Sequence, residues 1–142
     1  MSNQNNHINT TKKIILFDGI CNLCNRSINT IIKFDKKDKF RFCSLQSELG
    51  QHLIKNHLIK EKHLTTIVLI TSPTKHTTKS KAIFQICKEL GGVFTLIYYL
   101  FNFLPIKLTD TVYDLIAKNR YRLFGKKNAC RVPTSDIKKK FI

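Results

Sequence analysis

A chain of 142 residues is long enough to bury a core without disulfide staples and short enough to form a single domain. Its 42% hydrophobic content excludes a disordered chain. Its longest apolar run, residues 93–106, is broken by Asn102 and Pro105 and falls short of the ~20 residues a membrane span needs. The net charge of +16, from 25 Lys and Arg against 9 Asp and Glu, admits nucleic acid or anionic lipid as partners. The basic residues, however, fall in short separate clusters (Lys12-Lys13, Lys36-Lys37, Lys126-Lys127, Lys138-Lys139-Lys140), the pattern of a solvated basic surface rather than of a nucleic-acid groove.

Residues 1–12 are polar and Asn-rich and lack the apolar core of an export signal. They read as a flexible N-terminal tail, with residues 13–142 as one domain of a cytoplasmic protein whose five cysteines are mostly thiols. Ile14, Ile15, Leu16 and Phe17 form an uninterrupted apolar run, which predicts a central first strand buried on both faces. Gly19 supplies a tight turn, and Ile28, Ile31 and Ile32 then recur at the spacing of a helix over 22–34. After a charged turn at 35–39, a second strand over 40–45 places Phe40 and Phe42 on one face, parallel to the first strand. Leu49, Leu53 and Ile54 stripe a helix over 46–58 capped by Ser44 or Ser47.

A β-branched run predicts a third strand over 65–71, with a turn at Ser72-Pro73-Thr74 and a weak returning strand at 76–79. Ser80 reads as the cap of a helix carrying Ala82, Ile83, Ile86, Cys87 and Leu90, stopped by Gly91-Gly92. Two more helices follow over 94–104 and 110–119. The aromatics of the first, Phe94, Tyr98, Tyr99, Phe101 and Phe103, suit a buried helix and leave peripheral membrane contact or an oligomer interface open. The order β-α-β-α-β-β-α is that of an α/β, thioredoxin-like core with extra C-terminal helices.

Cys21 and Cys24 stand where the first strand gives way to the first helix. A thiol in a helix's first turn faces unsatisfied backbone N–H groups and the positive end of the macrodipole, which favours the nucleophilic thiolate. Cys24, three residues on, can attack the mixed disulfide that Cys21 forms. Cys21 is expected at an exposed turn, and Cys24 on the face of Ile28 and Ile31, less accessible and less acidic. Asp18 either relays a proton for Cys24 as a general base or closes the bend at Gly19. The competing reading, a zinc half-site, lacks a second cysteine pair, since Cys43, Cys87 and Cys130 are isolated and His52, His57 and His63 lack ligand spacing. Cys43 and Cys87 read as small core residues. Cys130, flanked by Lys126, Lys127 and Arg131, is a candidate third redox thiol or docking residue, and equally a surface thiol with no role. Arg120 and Arg122 alternate in direction if the chain there is extended, and suit an acidic partner or ordinary salt bridges.

The stretch Ile15-Leu16-Phe17-Asp18-Gly19-Ile20-Cys21-Asn22-Leu23-Cys24 resembles the opening signature of the DCC family, thiol-disulfide oxidoreductases named for an Asp and two Cys at this spacing. Arg41-Phe42-Cys43-Ser44-Leu45-Gln46-Ser47 resembles the same family, as does Asn119-Arg120-Tyr121-Arg122-Leu123-Phe124-Gly125 followed by Cys130 and Pro133. The likeness runs in the family's order from about residue 14 to the end. It implies a thioredoxin-like fold, a site of Cys21, Cys24 and Asp18, and Cys130 and Arg122 as accessory candidates. One departure stands out. Thioredoxin-like proteins usually carry a cis-proline before the third strand, where this chain has Leu64-Thr65-Thr66, and a non-proline cis bond is costly.

The expected chemistry is attack by Cys21 on a disulfide of a protein or small molecule, resolution by Cys24, and re-reduction by a separate dithiol. No Gly-rich phosphate loop is present, so no organic cofactor is expected, and no metal. The alternative is a non-catalytic basic module for nucleic acid or anionic membrane, with a structural or zinc-binding C-x-x-C.

Overall fold

The structure is a computed structural model that describes residues 11–57, 59–60, 66–128 and 133–142. The expected tail lies almost wholly outside the described residues, as do Leu64, Thr65 and Cys130. Ten elements follow in order: β1 (Lys13–Phe17), α1 (Asn22–Phe34), β2 (Phe40–Ser44), α2 (Glu48–Asn56), β3 (Val68–Ser72), β4 (Lys75–Thr78), α3 (Lys79–Leu90), α4 (Val93–Asn102), α5 (Ile106–Phe124) and α6 (Ser135–Lys138). The four strands form one sheet in the order β2-β1-β3-β4. β1 runs parallel to β2 and antiparallel to β3, and β3 and β4 are antiparallel. This is the α/β, thioredoxin-like arrangement expected from the element order.

The apolar run of β1 explains its interior position. Ile14 and Leu16 point into a core with Leu53, Ile54, Val68 and Ile70, on the side covered by α2. Ile15 and Phe17 point the other way, into a core with Ile28, Ile31, Phe42, Leu69 and Ile86 beneath α1 and α3. A strand with alternate side chains in two cores tolerates no polar residue on either face, which is why it reads as continuous hydrophobic sequence. The outer edge of β2 is partly covered by the end of the chain: Phe42 N–H donates to Lys140 O at 2.8 Å, and Ile142 N–H donates to Phe42 O at 2.9 Å.

Most boundaries fall within two residues of the expectation, and three differences have a visible cause. β3 begins at Val68 because Ile67 N–H donates to the Tyr113 hydroxyl at 2.9 Å instead of entering the ladder. Ser80 is not a cap. Thr78 holds that position, and the Ser80 hydroxyl lies inside the helix, buried against Thr109 and Asp110 of α5. α5 starts earlier and ends later than 110–119, running from behind Pro105 to Gly125, whose φ of 77° makes it the left-handed stop. Arg120 and Arg122 are therefore helical, not extended. Among the described residues, no helix is long and apolar enough to cross a membrane.

Candidate functional site

The site forms where β1 ends and α1 begins. Leu45 N–H donates to Phe17 O at 2.8 Å, holding the strand end against the β2–α2 loop. The chain then bends at Asp18, whose Oδ1 accepts from Ile20 N–H at 3.1 Å, while Cys21 N–H donates to Asp18 O at 3.3 Å. Asn25 is buried beneath the bend and donates through Nδ2 to Gly19 O at 2.8 Å and to Cys21 O at 3.0 Å. Cys21 is the N-cap of α1, and its Sγ accepts the Cys24 N–H at 3.2 Å. A sulfur thus fills the capping place of a Ser or Asp side chain, and the two cysteines face each other within one turn.

The burial of the pair is opposite to expectation. Cys21 has 0% exposure, whereas Cys24 is half-buried. A distant segment pairs with the backbone on either side of Cys21. Beyond α5, residues 125–127 run antiparallel to residues 20–22, with Lys127 N–H donating to Ile20 O at 2.8 Å and Asn22 N–H to Gly125 O at 3.3 Å. Asn22 Nδ2 adds a bond to Phe124 O at 2.9 Å. Nothing in the local C-x-x-C pattern signals this strap.

Asp18 is the other centre of the site. Its carboxylate is 4% exposed and pairs at 2.8 Å with Arg120, also 4% exposed. Tyr121 donates its hydroxyl to the same oxygen, Oδ2, and Gln46 Nε2 donates to Oδ1 at 2.8 Å. Gln46 Oε1 in turn accepts Gly19 N–H at 3.0 Å. Of the two parts expected of Asp18, its placement shows the closing of the bend, through Ile20 N–H, and it lies among the groups around the cysteines. Arg122 is not brought to the site. It lies on the exposed side of α5, whereas its neighbour Arg120 turns inward. Cys43 is buried, with its Sγ 3.3 Å from Ser47 Oγ, and Cys87 is buried on α3.

Charge and burial act differently on each group. Cys24 is pushed well up, first by burial, then by the hydrogen bond with Cys21 and its charge; Arg120 opposes this and Asp18 adds to it. Burial also raises Tyr121, with Asp18 beside it adding to the shift, and raises Tyr113 to about 12. Cys24, Asp18, Arg120, Tyr113 and Thr66 share the wall of a cavity of about 520 Å³ enclosed by α1, α3, α4 and α5. The rest of the wall is largely apolar, including Ile28, Ile31, Ile86, Phe94 and Ile116. Its size and its few convergent polar groups are those of a small-molecule site. Among the described residues, no three His, Cys, Asp or Glu side chains are grouped to hold a metal ion.

Asn22, Asn25, Gln46, Tyr113 and Tyr121 were not anticipated as site residues. Gln46 and Tyr121 lie in the second and third stretches of the family likeness, and that shared membership was the available signal.

A family model described as DCC1-like thiol-disulfide oxidoreductase matches residues 15–126. The uncharacterized protein YuxK of Bacillus subtilis (strain 168) is 42% identical over 130 residues, covering 92% of this chain and 93% of its own. A chloroplastic DCC family protein of Arabidopsis thaliana is 31% identical over 121 residues, covering 85% of this chain and 70% of its own. No solved structure matches the chain.

Proposed function

The chain belongs to the DCC1-like thiol-disulfide oxidoreductase family, and on that premise we propose that it exchanges disulfides through Cys21 and Cys24. The observation that carries the reading is the 3.2 Å bond from Cys24 N–H to Cys21 Sγ. It aims a backbone donor and the positive end of α1 at one sulfur of the pair. Cys24, raised by burial and by its neighbour, keeps its proton at neutral pH. Cys21 is therefore the attacking sulfur and Cys24 the resolving one.

The Cys21 thiolate attacks one sulfur of a substrate disulfide, the S–S bond breaks, and the other substrate sulfur leaves as a thiolate. Cys24 then loses its proton to solvent and attacks Cys21 Sγ, releasing the second substrate thiolate. The protein is left with a Cys21–Cys24 disulfide, two electrons having passed to the substrate, until a separate dithiol restores it. Arg120 favours deprotonation of Cys24 by its charge. Asp18, with both oxygens already accepting hydrogen bonds, positions Arg120 rather than taking the proton. Because Cys21 has no exposed surface, attack requires residues 125–127 to lift from residues 20–22. The apolar cavity beside Cys24 favours a substrate with an apolar group next to its disulfide.

Mass spectrometry after incubation with an aromatic model disulfide tests this. A Cys24→Ser variant should accumulate an adduct on Cys21, and Cys21→Ser should accumulate almost none. Asn22→Ala, which removes the bond to Phe124 O, should speed alkylation of Cys21 by about fivefold, the worth of one ~1 kcal/mol hydrogen bond. An adduct formed mainly on Cys24 would overturn the assignment.

A further inference from the structure

We propose that the α4–α5 face of this protein docks on an anionic membrane surface. Helix α4 carries no charged residue and buries none of its ten side chains. Leu96, Tyr99 and Phe103 follow helical spacing along its outer side. On α5, Leu108, Val112 and Leu115 form a second outward apolar stripe, and these six side chains are 50% to 76% exposed. The inner side of α5 carries Asp110, Tyr113 and Arg120 instead. This reverses the ordinary amphipathic pattern, in which the apolar stripe faces the core. Exposed apolar side chains in this number on two successive helices mark an interaction face.

Charge selects the occupant. The acidic groups of α5 are engaged, Asp110 with the Ser80 hydroxyl and Asp114, whose side chain is 48% exposed, with Lys79 at 2.9 Å. Lys107, Lys118 and Arg122 are left exposed on α5 alongside the apolar stripe, on a chain of net charge +16. An apolar face fringed with basic residues matches the boundary between acyl chains and anionic headgroups. A second copy of the chain fits poorly, because pairing these faces would bring two basic fringes together. Ile116, next to Leu115 and 46% exposed, also lines the cavity that holds Cys24, so a docked membrane would lie near the rim of that cavity. The inference does not depend on which cysteine attacks.

Co-sedimentation of the full chain with phosphatidylcholine vesicles, with and without phosphatidylglycerol, tests the proposal. Binding should require the anionic lipid and weaken as salt is raised. Lys107→Gln with Lys118→Gln should reduce it by roughly thirtyfold, about fivefold for each basic residue near the surface. Leu96→Glu with Leu115→Glu should abolish it while leaving the circular dichroism unchanged, since both side chains are more than half exposed. Lys36→Gln with Lys37→Gln, on the turn after α1, should change it little. Equal binding to neutral and anionic vesicles overturns the proposal. So does no binding at low salt, or a dimer dispersed by the same Glu variants with no vesicle binding.

Discussion

The Asp18–Arg120 pair joins the first bend of the chain to its last long helix, and replacing Arg120 by Met measures what that joint contributes. Both side chains are 4% exposed and 2.8 Å apart. Met retains much of the volume and removes the charge and its donors. Asp18 would then hold a buried negative charge with three remaining donors: Ile20 N–H, Gln46 Nε2 and the Tyr121 hydroxyl. Breaking a buried pair on one side costs about 3–5 kcal/mol, and the surviving donors put this case near the lower end, about 3 kcal/mol. For a chain of this length that is a fall in Tm of roughly 10 °C. Asp18→Asn combined with Arg120→Met should recover part of the loss, because no uncompensated charge remains. Arg120→Lys should fall between wild type and Met, since an ammonium keeps the charge but not the planar fork.

Urea unfolding followed by far-UV circular dichroism reads the effect as a shift in midpoint at constant slope. A second readout separates the joint from its influence on the cysteines. Arg120 lowers Cys24 by its charge, so its removal should move the pH at which Cys24 becomes alkylated further up. A loss below about 1 kcal/mol, or an unchanged alkylation profile, would refute the reasoning.

Gly50→Ala sets two effects against each other. Alanine gains about 1 kcal/mol of helix propensity, but its Cβ would stand 2.1 Å from the Ser44 carbonyl oxygen, on backbone that cannot yield cheaply. We expect the clash to win by about 2 kcal/mol, read as a lower urea midpoint, and a neutral or stabilised variant would disprove the close approach. Stability should also fall at high pH. Cys24, Cys43 and Cys87 are all raised above their ordinary 9.0 by burial. The unfolded chain therefore loses its thiol protons first, and the native state loses ground only as pH climbs above about 9, by at most about 1.4 kcal/mol per thiol per pH unit. Urea midpoints at pH 7.5 and 10 check this, and the slope should flatten in Cys43→Ala.

What could be read from the chain divides by the range of the interaction responsible. Helix α1 was legible because its apolar stripe of Ile28 and Ile31 is a local signal, although its cap, Cys21, was not read as one. The interior position of β1 was legible because burial on both faces leaves no polar alternation. The end of α5 was missed because Arg120, Tyr121, Arg122 and Leu123 carry no stop signal, and the true one is Gly125. The site divides the same way. Cys21 at a helix N-terminus follows from its neighbours, but its pairing with residues 125–127 does not, and the partner of Asp18 lies 102 positions away. Periodicity cannot say which of 25 basic residues meets a given carboxylate. The three stretches of the family likeness carried that information without stating it. The first supplies Asp18, the second Gln46, and the third Arg120 and Tyr121, and all four side chains meet at one carboxylate. The third stretch also supplies Phe124 and Gly125, which bond to Asn22 beside the buried Cys21. A contact network of this kind explains why segments so far apart would travel together as one signature around a two-cysteine motif that is common by itself.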